Sequence, residues 1–223
     1  MTTRWLASMA VALTFVGCGS SSSDGSSTGG GGGGGGGTLP SGTLAGTAFT
    51  PVDGTAAVLP PTACSVAGTG VNGNAVAIVF TNLAGTCSAY QAVGACNDKA
   101  NATVVSAIVA RVNVTGGTAT AIGPGTYALT PGTPFPDASG NVNYTFIGYS
   151  KTNATCVNAA ASVTATSGTV TISTLTGTRA TGSLTVAFSD GSTFSGPFDV
   201  ALCSVSFDVC ALQSCTGPPS CIP

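Results

Sequence analysis

The chain has 223 residues, only 5 % of them charged, with no histidine and a formal charge of −2. It also lacks glutamate, so all seven acidic residues are aspartates. This balance excludes a basic nucleic-acid surface and a basic amphipathic helix for lipid headgroups; the missing histidine excludes the usual Ser-His-Asp and Cys-His nucleophiles and histidine-ligated metal sites. Residues 1–17 open with one basic residue, Arg4, followed by an apolar stretch from Trp5 to Val16. That stretch falls short of the roughly 20 apolar residues that span a bilayer and has the form of a secretory signal. Residues 18–38 begin at Cys18 and continue as a Ser/Gly run with almost no apolar side chains. Such a run cannot offset the entropy of ordering; as a random coil of this length it reaches roughly 25 Å. About 180 residues then remain, 39–223, which suits one domain with a real core. Trp5 is the sole tryptophan, so that domain contains none.

Within 39–223, apolar and polar residues alternate with period two, in segments rich in β-branched and aromatic residues. The pattern predicts strands over 45–50, 55–59, 75–81, 103–114, 126–130, 143–150, 168–175, 181–188 and 193–202. Gly, Pro, Asn and Asp separate them, as in "VNGN", "GPG" and "SDGS". Residues 87–103 are the best place for a short helix. Many short strands with regular turns predict an all-β domain, an antiparallel β-sandwich or barrel-like structure. Its end reads as a β-meander. Leu184, Val186 and Phe188 alternate before one turn, and Phe194, Phe198, Val200 and Leu202 alternate after it. All carry even numbers, so a shared face requires an odd loop. A three-residue loop Ser189-Asp190-Gly191, with Gly191 left-handed, sets Val186 opposite Phe194. Pro197 cannot donate to a ladder, which places it on an edge strand or at a bulge. The turn "LTGTR" joins a preceding hairpin.

Eight cysteines follow Cys18: Cys64, Cys87, Cys96, Cys156, Cys203, Cys210, Cys215 and Cys221. An even number in an exported chain predicts four disulfides, each contributing about 2–4 kcal/mol. Proximity suggests that Cys87–Cys96 closes the loop "SAYQAVGA". It also suggests that two of Cys203, Cys210, Cys215 and Cys221 pair within the tail, leaving Cys64 and Cys156 to longer-range partners. Without histidine or a CxxC spacing, no metal site is expected. No cofactor is expected either. Lys99 and Lys151 sit in "NDKAN" and "YSKTN", polar contexts that favour solvated ammonium groups over a Ser–Lys dyad. Asp53 in "VDGT" and Asp190 in "SDGS" read as turn residues. "DASGN" (137–141) begins like an EF-hand loop, but its twelfth position is Gly148, so it reads as a polar turn. Asn101, Asn113, Asn143 and Asn153 match glycosylation sequons, as chance allows in a Thr-rich chain. Threonine pairs such as Thr118/Thr120, Thr164/Thr166 and Thr169/Thr171 offer hydroxyls either to water or to a flat carbohydrate or ice surface.

Phe15-Val16-Gly17-Cys18 resembles the bacterial lipobox, in which the cysteine is acylated and becomes the mature N-terminus. The resemblance implies a lipoprotein signal peptide over 1–17 and Cys18 as the lipidated residue, with the linker as a leash. Gly19, rather than Asp, after the cysteine implies the outer membrane, by likeness to proteobacterial lipoproteins. The segments "SGTLAGTAFTPVDGTAAVL" (41–59), "IGPGTYALT" (122–130) and "SGTVTISTLTGTRATGSLTVAFSDGSTFSGPFDVALC" (167–203) resemble exported lipoproteins of myxobacteria. That family has no assigned activity, so the resemblance implies a fold and an anchor and carries over no site residue. The expectation is a lipid-anchored envelope module that touches the membrane through its acyl chains and acts on an unknown protein or glycan ligand without catalysis. An aspartate-dependent hydrolase of envelope or extracellular polymers is the alternative. A passive Thr-rich carbohydrate- or ice-binding surface is another.

Overall fold

The structure, a computed structural model, describes residues 37–59, 64–66, 69–91, 97–113, 115, 118–130, 135–156, 158–204 and 220–222. The described chain is nearly all strand: β1 (Ser41–Leu44), β2 (Thr47–Phe49), β3 (Asp53–Leu59), β4 (Cys64–Val66), β5 (Thr69–Thr81), β6 (Asn97–Lys99), β7 (Thr103–Asn113), β8 (Gly125–Ala128), β9 (Asn141–Thr152), β10 (Asn158–Leu175), β11 (Arg179–Phe188), β12 (Thr193–Leu202) and β13 (Ser220–Ile222). One short helix, α1 (Thr86–Gln91), lies between β5 and β6. The helix expected within 87–103 is thus confined to its first turn and a half, and residues 97–99 are strand instead.

The sheet runs β11-β10-β9-β7-β5-β3-β12, and β12 pairs again with β11, closing a barrel of seven strands. Of the two architectures expected, the barrel is the one formed. Around a ring of seven, strand direction cannot alternate at every neighbour. One pair must be parallel, and it is β3–β12, joined at Thr55↔Ala201 and Ala56↔Leu202. Four strands extend the ring, with β2 carried on β1. β4 pairs with the start of β5, β8 with the second half of β10, and β1 with the first residues of β12. A separate short pair joins β13 to β6.

Alternation decides which side chains fill the ring. Val105, Ala107 and Val109 of β7 and Ile147 and Tyr149 of β9 point inward with Ile78, Phe80, Leu184, Val186, Phe194 and Phe198. Phe194 stacks within 5.7 Å of Phe49 and 5.6 Å of Phe80, and Phe80 lies 6.0 Å from Phe198. Among the described residues the interior is therefore a packed aromatic core, and each large side chain in it contributes about 1.5–3 kcal/mol of burial. The β1–β2 hairpin adds Leu44 and Phe49 to the same core.

The closing meander forms as read. Val186 faces Phe194, Phe188 N–H donates to Ser192 O, and Gly191 takes φ +83° in a three-residue loop. Three readings need correction. The strand expected over 45–50 is split by a turn, because Ala45 (φ +50°) and Gly46 (φ +74°) are both left-handed and connect Leu44 to Thr47; such a two-residue turn matches strand twist. Pro197 is not on an edge strand. β12 has β11 on one side throughout, and Pro197 lies where its other neighbour changes from β1 to β3. Asp199 N–H donates outward to Thr38 O. By strand alternation, the missing N–H of Pro197 falls on that same side, in the gap between partners. Finally, Cys87 is bonded to Cys203 across 116 residues, not to Cys96. Cys203 is therefore not one of the tail pair. Strand β12 delivers it beside Ala56 O, which its N–H meets at 2.7 Å, and α1 delivers Cys87 to the same place. Cys156 is disulfide-bonded as well. The side chains of Cys18, Cys64, Cys96, Cys210, Cys215 and Cys221 lie outside the described residues.

Candidate functional site

With the interior filled, a ligand has the barrel ends and the outer wall. At one end the β11–β12 loop is tied down by a polar knot. Tyr149, 2 % exposed, donates its hydroxyl to Asp190 Oδ2. Ser192 gives its N–H to Asp190 Oδ1 at 3.0 Å and its hydroxyl to Oδ2 at 2.9 Å, and accepts the Ala45 N–H at 2.8 Å. Lys151 adds its ammonium to Leu44 O at 2.8 Å. It sits on strand β9 and closes the turn beneath it, where a solvated ammonium was expected. The Tyr149 hydrogen bond, followed by those from Ser192, holds the Asp190 carboxyl below its usual range, while burial and then the same carboxylate push the Tyr149 phenol up. Ser192 is 3 % exposed. The knot is a latch between the β1–β2 turn, β9 and the β11–β12 loop, with no hydroxyl open to a substrate.

The other three aspartates whose side chains are described are equally engaged; the side chain of Asp98, on β6, lies outside the described residues. Asp53, expected in a turn, instead opens β3; its Oδ1 accepts Gly54 N–H at 2.8 Å and its Oδ2 accepts Thr86 N–H at 2.7 Å, holding the start of α1. Asp137 accepts the Ser139 and Asn141 N–H groups at 2.8 and 2.9 Å, which makes "DASGN" a turn. These amides, Asn141 first, hold its carboxyl low. Asp199 forms a two-pronged ion pair with Arg179 on the surface. No two of the four share a partner. Among the described residues no three cysteine or acidic side chains gather as metal ligands.

The outer wall carries one groove of about 210 Å³ across β7, β9 and β10. Its rows follow from the register: Ile108 beside Phe146, Ser106 beside Gly148 and then Thr164, and Val104 beside Ser150. These positions alternate with the core residues of the same strands, so their side chains face out. Gly148 leaves the middle of the floor bare. Phe146 bounds it, and Tyr144, two residues earlier on the same face, lies parallel to Phe146 at 6.0 Å and 6°. Burial pushes the Tyr144 phenol up. Among the described residues the lining holds no ionisable side chain other than the core-facing Tyr149. Sequence reading missed this groove. Its signal was "NYTFIGYS", where apolar side chains occupy both parities of one strand and a glycine interrupts the outward set. The Thr-pair surface is not flat. Bulges break β10 between Ala165 and Ser167 and between Ile172 and Thr174, and Thr118 and Thr120 lie off the strands.

No family model, curated protein or solved structure matches the chain.

Proposed function

We propose that the chain is an exported lipoprotein, acylated on Cys18, whose barrel serves as a non-catalytic binding module at the cell envelope. The observation that carries the reading is the state of the four aspartates whose side chains are described. Each is engaged by backbone, hydroxyl or guanidinium donors of its own turn or of a neighbouring element, and none lines the groove. Hydrolysis by paired carboxylates needs two of them about 5–9.5 Å apart across a substrate. A wall groove without ionisable groups suits retention of a ligand rather than its turnover. The anchor rests on the lipobox-like Phe15–Cys18, the Ser/Gly leash and the likeness to exported myxobacterial lipoproteins.

Intact and peptide mass spectrometry of the native, non-reduced protein tests the anchor. A diacylated or triacylated N-terminal Cys18 is the expected species, with a mass eight hydrogens below the reduced chain, one for each remaining cysteine. Unmodified Cys18 would remove the anchor. Turnover of an envelope polymer that disappears in a single Asp→Asn variant would replace the binding module with a hydrolase.

A further inference from the structure

The outer groove has a composition that selects a chemical class of ligand, and this inference rests on the binding-module reading above. Three features converge. The first is an apolar border: Phe146, parallel to Tyr144, with Ile108 beside it. The second is a set of hydroxyls with nothing to hold. The side-chain hydroxyls of Ser106, Ser150 and Thr164 line the groove and make no hydrogen bond within the described residues. Elsewhere on the wall threonine hydroxyls satisfy one another or a carbonyl, as in Thr174 with Thr181 at 2.6 Å and Thr176 with Arg179 O at 3.2 Å, and within the groove Thr166 already gives its hydroxyl to Ala187 O at 3.2 Å. The third is charge: among the described residues no Asp, Lys or Arg lines the groove, although the chain places them elsewhere on the barrel.

An anion or a cation finds no counter-charge here, and β9 is already paired with β7 along the groove and with β10 from Gly148 to Thr152, which leaves a peptide strand no full-length edge. A pyranose ring fits all three features. Its axial C–H face is apolar and packs on an aromatic ring, while its equatorial hydroxyls exchange hydrogen bonds with serine and threonine. The volume of about 210 Å³ lies below the roughly 300–1,000 Å³ of pockets that enclose a drug-sized molecule. It accommodates one ring of a chain that continues into solvent. We propose that this groove binds a neutral hexopyranose unit of a glycan, with Phe146 as the stacking platform, Ser106, Ser150 and Thr164 as hydroxyl partners, and Gly148 as the gap the ring enters.

The test is an NMR titration of the isotope-labelled full chain. The probes are four neutral hexasaccharides, cellohexaose, maltohexaose, laminarihexaose and chitohexaose, with hexagalacturonate as the anionic control. The expected result is that at least one neutral probe at millimolar concentration shifts the amides of Ser106, Gly148 and Thr164. Phe146→Ala then weakens that binding about tenfold, and the near-isosteric Thr164→Val weakens it severalfold while leaving the wall's shape intact. Phe146 is half-buried on the outer face, so the unperturbed spectrum of each variant reports its folding directly. No shift with any neutral probe overturns the ligand class. Shifts confined to other residues, or unaffected by Phe146→Ala, overturn the site. Equal binding of hexagalacturonate overturns the selection for neutral rings. Each of those three outcomes leaves the binding-module reading standing. Cleavage of a probe, seen as new anomeric signals during the titration, overturns that reading itself.

Discussion

Tyr149 shows how much one side chain can be asked to do in a chain with so few ionisable groups. Its ring meets Phe188 edge-on at 4.9 Å and 84°, inside the core, while its hydroxyl reaches the barrel end and holds Asp190. The two groups titrate in opposite directions. The Asp190 carboxyl is depressed in the folded state, so its contribution to stability is fully present above the unfolded pKa of about 4 and is lost as pH falls through the lower folded value. The Tyr149 phenol is raised, so its contribution is present below the unfolded pKa of about 10 and is lost as pH rises through the higher folded value. Denaturant melts across pH are expected to show a plateau between these limits. Asp190→Asn shrinks the acid limb, to which the lowered Asp137 and Asp199 carboxyls also contribute, and Tyr149→Phe shrinks the alkaline one. At neutral pH, Tyr149→Phe costs about 1 kcal/mol, because the exposed Asp190 carboxylate regains water where it loses the phenol. An alkaline limb unchanged in Tyr149→Phe would show that the latch is not what titrates.

At the scale of elements, the β10–β11–β12 meander is held by where side chains are missing. An added Cβ at Gly182 would overlap the Thr171 carbonyl and come within 2.7 Å of the Phe198 ring, which occupies the space across the strand. At Gly191 the space is open, and only the positive φ resists a side chain. The two glycines should therefore separate cleanly in urea melts. Gly191→Ala costs about 1–2 kcal/mol. Gly182→Ala costs about 3 kcal/mol or more, and Phe198→Leu fails to rescue it because the nearer obstruction is backbone. Equal costs for the two would refute this assignment. This meander was the most legible part of the chain, since unbroken alternation and one odd-length loop left a single register that buried Leu184, Val186, Phe194 and Phe198 together. Legibility failed where local pattern carries no information. "LAGT" hides a turn inside an alternating run. The start of β10, "NAAAS", has no alternation to reveal its pairing with β9. Pro197 reads as an edge unless it is known that β12 exchanges one neighbour for another at that point.

The whole molecule has a seam, and the long-range disulfide lies on it. Closing seven strands forces one parallel pair, and β3–β12 is short: two residue pairs, against seven between β3 and β5 on its other side. Three reinforcements gather there. Thr55 donates its hydroxyl to Ala201 O at 3.1 Å, Cys203 N–H donates to Ala56 O at 2.7 Å, and Cys203 is bonded to Cys87. Cys87 in turn sits on α1, whose first N–H is held by Asp53 at the start of the same β3. The sequence showed these cysteines but not their partnership, because proximity in the chain favours short loops whereas a barrel brings its first and last ring strands together. A cross-link spanning 116 residues restrains the unfolded chain strongly, by about 4–5 kcal/mol in the chain-entropy account. The Cys87→Ala/Cys203→Ala double variant is therefore expected to lose stability on that scale. The location of the loss is the sharper expectation. Native-state hydrogen exchange of the variant should show the Leu202 and Cys203 amides, which donate to Thr178 O and Ala56 O, opening well below the global unfolding free energy. The β7–β9 ladder on the far side, eleven residue pairs long, should exchange only through global unfolding. Uniform loss of protection around the ring would instead mean that the disulfide stabilises by restraining the unfolded chain alone and that the parallel pair needs no staple.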